Sequence, residues 1–318
     1  MKKQFTIGSI LLGMACASVQ VARGQEYPVK SIRLVTSPIG GGNDFPARLI
    51  ALAVAGPLGQ QIVVDNRPTV LIADIVAKSP PDGYTLLVTG SAHWLGPLFE
   101  KVNYDPVKDF AAITLVDRSP TVLVVHPSLP AKSVKEFIAL TKARPGELNV
   151  AVGGTGSSNF MAAVLFAHMA GVNMTRIPYK GNAPAITALL SGEIQAMFSS
   201  AGAVAPHMQS GRLRALAVGS LQPSQLAPGL PTIAAAGVPG YVSETLHAMF
   251  APAKTPQAIA GRLNTEVSRY LRSTQAKEIF LRAGIEPSPS QPDELVEIMN
   301  SEIARIGKVL KAAGIGTK

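Results

Sequence analysis

Short apolar segments alternate with helical patterns along most of this chain, and that alternation constrains the fold more than any other feature. Residues 32–36, 62–65, 85–89, 121–125, 149–152 and 195–198 are brief apolar runs that read as strands. Helical patterns at 44–54, 134–143, 158–170 and 183–190 lie between them. Such alternation predicts an α/β protein with largely parallel sheets. Past Pro256 the pattern changes. Ile259, Leu263, Val267 and Leu271 recur every four residues, and Leu295, Ile298, Glu302, Ile306 and Leu310 mark a last helix announced by Pro292-Asp293-Glu294. A helical tail follows the α/β part, with no internal repeat and no low-complexity segment.

The first residues speak to compartment rather than fold. Lys2 and Lys3 form a basic start, residues 7–17 an apolar stretch, and Ala22-Arg23-Gly24 a small-x-small cleavage site. Together they predict a signal peptide over residues 1–24, removed before Gln25. The stretch is shorter than the roughly 18 residues a membrane span needs. Cys16, the only cysteine, falls inside it, and Gly13 stands three positions earlier where a lipidation site would want Leu. Processing therefore leaves no thiol, which excludes disulfides, Cys-ligated metals and cysteine nucleophiles. No later segment reaches spanning length, so the exported chain is expected to be soluble.

Disorder is excluded, because 47% of the residues are hydrophobic and only 15% charged. The formal charge is +9, and Lys2, Lys3 and Arg23 carry three of those charges, leaving +6 from Gln25 onward. That excess is spread along the chain without the basic, aromatic-interleaved stripe of a nucleic-acid binder. It suits an anionic ligand or partner.

Two glycine-rich loops each join a strand to a helix start. The first is Pro38-Ile39-Gly40-Gly41-Gly42-Asn43-Asp44 and the second Gly153-Gly154-Thr155-Gly156-Ser157-Ser158. Glycine lets a backbone approach a ligand closely, and a first helical turn offers unpaired N–H donors at a positive dipole end, so such loops bind anions. A tight turn with a Ser or Asp N-cap explains one such loop equally well. Neither fits a nucleotide motif: no Walker lysine is present, and Gly154-Thr155-Gly156 lacks the third glycine of a dinucleotide fingerprint. Enzyme signals are poor. There is no Gly-x-Ser-x-Gly elbow and no His-Glu-x-x-His, and the five histidines (93, 126, 168, 207 and 247) are far apart in sequence. No metal or cofactor site is expected. His168 reads as a packed or half-exposed helix residue. His93, in Gly90-Ser91-Ala92-His93-Trp94 after the strand at 85–89, sits where open α/β sheets bind ligands, although a loop with its Trp packed on the core fits too. Asp82, Asp105 and Asp109 read as turn caps.

Several segments together resemble one family, the Bug-type periplasmic substrate-binding proteins of tripartite tricarboxylate transporters. They are Tyr27-Pro28-Val29-Lys30-Ser31-Ile32-Arg33-Leu34-Val35, Asp65-Asn66-Arg67-Pro68, Pro81-Asp82-Gly83-Tyr84-Thr85-Leu86-Leu87 and Tyr104-Asp105-Pro106-Val107-Lys108-Asp109-Phe110. Ile177-Pro178-Tyr179-Lys180-Gly181, Gly211-Arg212-Leu213-Arg214-Ala215-Leu216-Ala217-Val218, Leu230-Pro231-Thr232 and Ala251-Pro252-Ala253-Lys254-Thr255-Pro256 continue the set in order.

The resemblance implies a type II-like, two-lobed α/β binding protein with a cleft between lobes, crossed twice by the chain. Lobe one would take 25–124 plus 246–318, and lobe two 125–245. In the family, loops of both lobes hold small carboxylates, largely through main-chain amides and bridging waters. That role falls here on Pro38, Gly40, Gly41 and Asp44 of lobe one and on Thr155, Gly156, Ser157 and Ser158 of lobe two. Ser91, Ala92, His93, Tyr179 and Ser199 resemble additional wall. Four departures bear on the ligand: Thr69-Val70-Leu71-Ile72 replaces a Gly-rich run, Phe160 stands where His is frequent, Ser199 where an acid is, and Leu246 where Trp is. The expected protein is a monomeric, non-catalytic solute-binding protein of the periplasm that delivers a small organic anion to the permease subunits of such a transporter. A ligand sensor presenting its closed form to a signalling receptor is the alternative.

Overall fold

The structure, a computed structural model, describes residues 27–40, 42–153, 157–312 and 314. The expected leader at 1–24 with Cys16, and the loop residues Gly41, Thr155 and Gly156, lie outside the described residues. The first half comprises β1 (Ile32–Thr36), α1 (Asp44–Leu58), β2 (Ile62–Asn66), α2 (Thr69–Ala77), β3 (Thr85–Gly90), α3 (Ala92–Leu95) and β4 (Phe110–Val125). Next come α4 (Val134–Ala143), β5 (Asn149–Val152), α5 (Ser158–Ala170), β6 (Thr175–Pro178), α6 (Asn182–Leu190), β7 (Ala196–Ser200), α7 (Ala201–Gln209) and β8 (Arg214–Val218). The chain then forms β9 (Glu244–Pro252), α8 (Gln257–Leu271), α9 (Thr274–Arg282), β10 (Glu286–Pro287) and α10 (Pro292–Ala312).

Two parallel β-α-β units build the ends of the sheet. In one, β1 pairs with β2 and β3, and its residues Ile32 and Leu34 pack against Ile50 and Val54 of α1 and Leu263 and Val267 of α8. In the other, β5 pairs with β6 and β7, and Val150 and Val152 pack against Phe166 of α5, Phe198 and Tyr241. Hiding these aliphatic faces from water is what drives both halves to close over their sheets.

The middle of the sheet is antiparallel, a departure from the largely parallel sheets expected. The order is β2-β1-β3-β9-β4-β7-β5-β6, with β8 and β10 also on β4. β4 serves both halves: Phe110 to Pro120 pairs with β9, and Thr121 to Val125 pairs with β7 and β8. Only its second part was expected. Asp117, Arg118, Ser119 and Pro120 break the apolar run, and proline cannot donate to a ladder. Pro120 sits where one set of partners gives way to the other.

α10 spans both halves. Leu295 and Met299 pack with Val35, Leu87 and Phe250 of the first half, while Ile306, Val309 and Leu310 belong to the core of Phe166 and Tyr241. Leu95 and Leu98, just past β3, pack against that second core as well. Among the described residues, no helix is long and apolar enough to cross a membrane.

Candidate functional site

α1 and α5 each begin at a glycine-rich loop, and residues next to both helix starts line one cleft. Its first compartment, about 270 Å3, is lined by Gly42, Asn43, Gly90, Ser91 and Ala92 on one side and by Ser157 and Ser158 on the other. Leu95, Met161, Leu165 and Ile306 give it apolar walls, and Glu244, His247, Glu302 and Arg305 complete it. A second compartment of about 490 Å3 shares Gly42, Ser158, Thr245 and His247 with the first and adds Gly40, Thr121, Asn159 and Ser200. Gly40, Ser91, Ala92, Ser157 and Ser158 of the expected site are thus brought together.

The two helix starts are built differently. At α5, Ser157 is the N-cap, with extended backbone (φ −67°, ψ 153°), and its Oγ accepts from the Phe160 N–H. The Asn159 side-chain oxygen accepts from the main-chain N–H groups of Gly153 and Phe160 and from the Ser157 hydroxyl, at 3.2, 2.9 and 2.7 Å. The fit is close: a Cβ on Gly153 would come within 2.6 Å of Ser157 Oγ. No acid lies in the first turn of α5.

At α1 the turn carries its own anion. Asp44 accepts from the Gly40 N–H at 3.0 Å, from Arg48 at 3.0 Å and from the Asn66 amide at 2.8 Å. Burial alone would raise its carboxyl, but these bonds and the Arg48 charge hold it below the ordinary carboxylate value. Gly40 takes a positive φ of 78°, the left-handed region that favours glycine. Asp44 lines neither compartment, and neither does the exposed Pro38.

His93, Tyr179 and Ser199 stand elsewhere. His93 is buried, stacked on Tyr104 at 5.0 Å and edge-on to Phe110 at 4.5 Å. Burial pushes its pKa down to about 3, against a weaker pull from the Pro106 carbonyl. It borders an adjoining pocket that shares Asn43, Gly90 and Ala92 with the first compartment and takes in Thr69 and Val70, where the Gly-rich run was absent. Tyr179 donates its hydroxyl to Glu193 at 3.1 Å and packs on the cluster of Ile186 and Leu189. Ser199, paired with Val122 in the sheet, is buried, and its Oγ has no hydrogen-bond partner among the described residues. Leu246 fills core beside Trp94 and Phe250, and Phe160 lies 5.9 Å from the Arg176 guanidinium.

Sequence reasoning missed the floor and far wall. Trp94 Nε1 donates to Glu302 at 2.8 Å, and Arg305 lies 3.6 Å from the same carboxylate. Burial raises the Glu302 and Glu244 carboxyls, and Arg118, 3.6 Å from Glu244, offsets this only in part. One signal was legible: Glu302 is an acid on the apolar stripe of α10. On the floor, His247 meets Asp117, Nδ1 to Oδ1, at 2.7 Å. The described residues hold no cluster of three or more metal-ligating side chains.

A cleft between two α/β halves, lined on both sides next to helix starts that follow glycine-rich loops and crossed in the middle by shared strands, is the arrangement of a solute-binding protein. The profile of one family, "Tripartite tricarboxylate transporter family receptor" (TctC), matches residues 46–315, and the chain belongs to that family. It is 34% identical to the protein BugT of Bordetella pertussis over 97% of this chain and 98% of that one. Among solved structures it resembles R. palustris Rpa4515 with adipate (36% identity, TM-score 0.76, 92% and 99% of the two chains). MatC of Rhodopseudomonas palustris with bound malate is similar too (30% identity, TM-score 0.72, 89% and 100%). Family and neighbours are binding proteins, not enzymes.

Proposed function

We propose that the protein is exported to the periplasm, closes as a monomer around a small carboxylate, and delivers it to the permease subunits of a tripartite tricarboxylate-type transporter. The carrying observation is the start of α5. Ser157 lines the first compartment and Ser158 lines both, with no acid in that turn to occupy the positive end of the helix. Adipate and malate in two neighbours agree in chemical class. The division into lobes at 25–124 plus 246–318 and 125–245 is supported by the change of β4 partners at Pro120–Thr121 and by the start of β9 at Glu244. Gly41, Thr155 and Gly156 complete the two loops in this reading.

A thermal-shift screen of mono- and dicarboxylates tests it. A carboxylate at 100 times its dissociation constant adds about 2.7 kcal/mol of stability, an upward shift that is easily read. A panel that moves the melting temperature nowhere overturns the carboxylate reading.

A further inference from the structure

His247 and Asp117 are cross-strand partners on β9 and β4. β4 carries an irregularity between Leu115 and Asp117, so the pairing skips Val116 and sets Asp117 opposite His247. Directly opposed residues point to the same face of the sheet, which is how side chains 130 residues apart meet at 2.7 Å.

The pair has an inside and an outside. Asp117 is 0% exposed and lines neither compartment, whereas His247, 6% exposed, lines both. Its Nε2 lies 3.6 Å from where a Cβ on Gly42 would stand. Behind it, Asp117 keeps a second oxygen without a hydrogen-bond partner among the described residues. A buried carboxylate satisfied on one side is tolerated when its one partner carries charge. The chain supplies its own control: His93, equally buried but away from any carboxylate, is driven down, while at His247 burial is outweighed by the charge and hydrogen bond of Asp117 and the shift is upward. The other titratable groups lining the two compartments are Glu244 on the same strand and Glu302 and Arg305 from α10; the faces contributed by α1, α5 and β3 carry none.

We propose that Asp117 holds His247 as an imidazolium ion whose Nε2–H, at the junction of the two compartments, donates to a carboxylate of the bound anion. The proposal rests on the carboxylate reading of the cleft and names its cation. It also orients the ligand: the carboxylate sits between His247 and the start of α5, and an aliphatic body runs along Leu95, Met161, Leu165 and Ile306. Asp117 acts as a positioning residue: it accepts the Nδ1–H, so that Nε2 carries a proton only while the ring is charged.

Protein labelled with 15N-histidine tests the charge first, without ligand, with the five histidine signals assigned through single His→Gln variants. His247 should titrate above 6.5, and Asp117→Asn should bring it below. With adipate as probe, the His247 signals should move on binding, and calorimetric affinity should fall as pH rises through the His247 pKa, because only the imidazolium donates at Nε2. The double variant Asp117→Asn/His247→Gln keeps an uncharged side-chain hydrogen bond in the sheet, which preserves folding. It should bind adipate about 10- to 100-fold more weakly and lose the pH dependence. A His247 found neutral at pH 6 overturns the proposal. So does equal adipate affinity in the well-folded double variant, which leaves the carboxylate reading standing. His247 titrating high in a protein that no carboxylate binds overturns that reading and the donor role together.

Discussion

The two glycine loops look alike in sequence and differ in what they leave for a ligand. The α1 loop closes on itself: Asp44 takes the Gly40 N–H, and Arg48 and Asn66 fasten the carboxylate. The α5 loop is satisfied by neutral side chains, Ser157 and Asn159, so its positive end is not neutralised. A glycine-rich strand-to-helix turn thus marks a possible anion site, and the charge state of its cap decides whether a guest anion is wanted there. On the proposed reading the anion is held at the α5 side, while the α1 side shapes the wall.

The largest effect that would sharpen this contrast is expected at Ser158. It is the first helical residue, where proline is well tolerated, and Ser157 already has the extended angles that a residue before proline prefers. Ser158→Pro removes the main-chain N–H of a residue that lines both compartments. Loss of a charged hydrogen bond of about 1.5–3 kcal/mol should weaken carboxylate binding roughly 10- to 150-fold, with little change in the melting temperature of the free protein. Full affinity by calorimetry would break the contrast.

A smaller effect is expected in the aromatic nest behind the α1 side. Because His93 is held neutral with a pKa of about 3, the unfolded chain binds more protons than the native one below about 6.5, and stability is lost as pH falls. The slope approaches about 1.4 kcal/mol per pH unit, or roughly 2 kcal/mol between pH 6.5 and 5. His93→Phe should flatten this loss in urea titrations at pH 7.5 and 5 and leave carboxylate affinity unchanged. A variant that folds but no longer binds would return His93 to the ligand wall.

The smallest effect concerns Asp44. Its lowered carboxyl stabilises the fold above the ordinary value of 3.8, and that contribution disappears as pH falls through the native pKa. Asp44→Asn should therefore cost stability at neutral pH and reduce its acid sensitivity in thermal melts. Affinity should change by no more than about threefold, the scale of one charge at a helix end. A tenfold loss would mean that both loops hold the anion.

Much of this was legible in sequence. β1, β5, α4 and α5 have the bounds that the apolar pattern marked: the strands are brief, mainly apolar runs paired with strands of their own β-α-β unit, and both helices begin at a serine N-cap. The first half of β4 was not legible: its polar run and Pro120 mimic a loop, and only partners far along the chain, β9 and β10, make it a strand. The site divides in the same way. Ser157, Ser158 and Gly40 belong to local turns that announce themselves, whereas Asp117 and His247 meet only through the register of two distant strands. Glu302 was the exception, an acid on an apolar stripe, and its partner Trp94 explains why it is tolerated there.

Two of the passages between the halves are strands and can twist; the third is a rod. α10 has 21 residues, about 30 Å of helix, with Leu295 and Met299 bedded in one core and Ile306, Val309 and Leu310 in the other. A swing that widens the cleft must lift one of those ends and wet its aliphatic surface, and returning removes that surface from water again. If the two halves close on a ligand as proposed, α10 supplies a return spring independent of any guest. In the proposed reading, retention of an anion is then set partly by elastic resistance in the last helix, through Leu295, Met299, Val309 and Leu310, which line neither compartment.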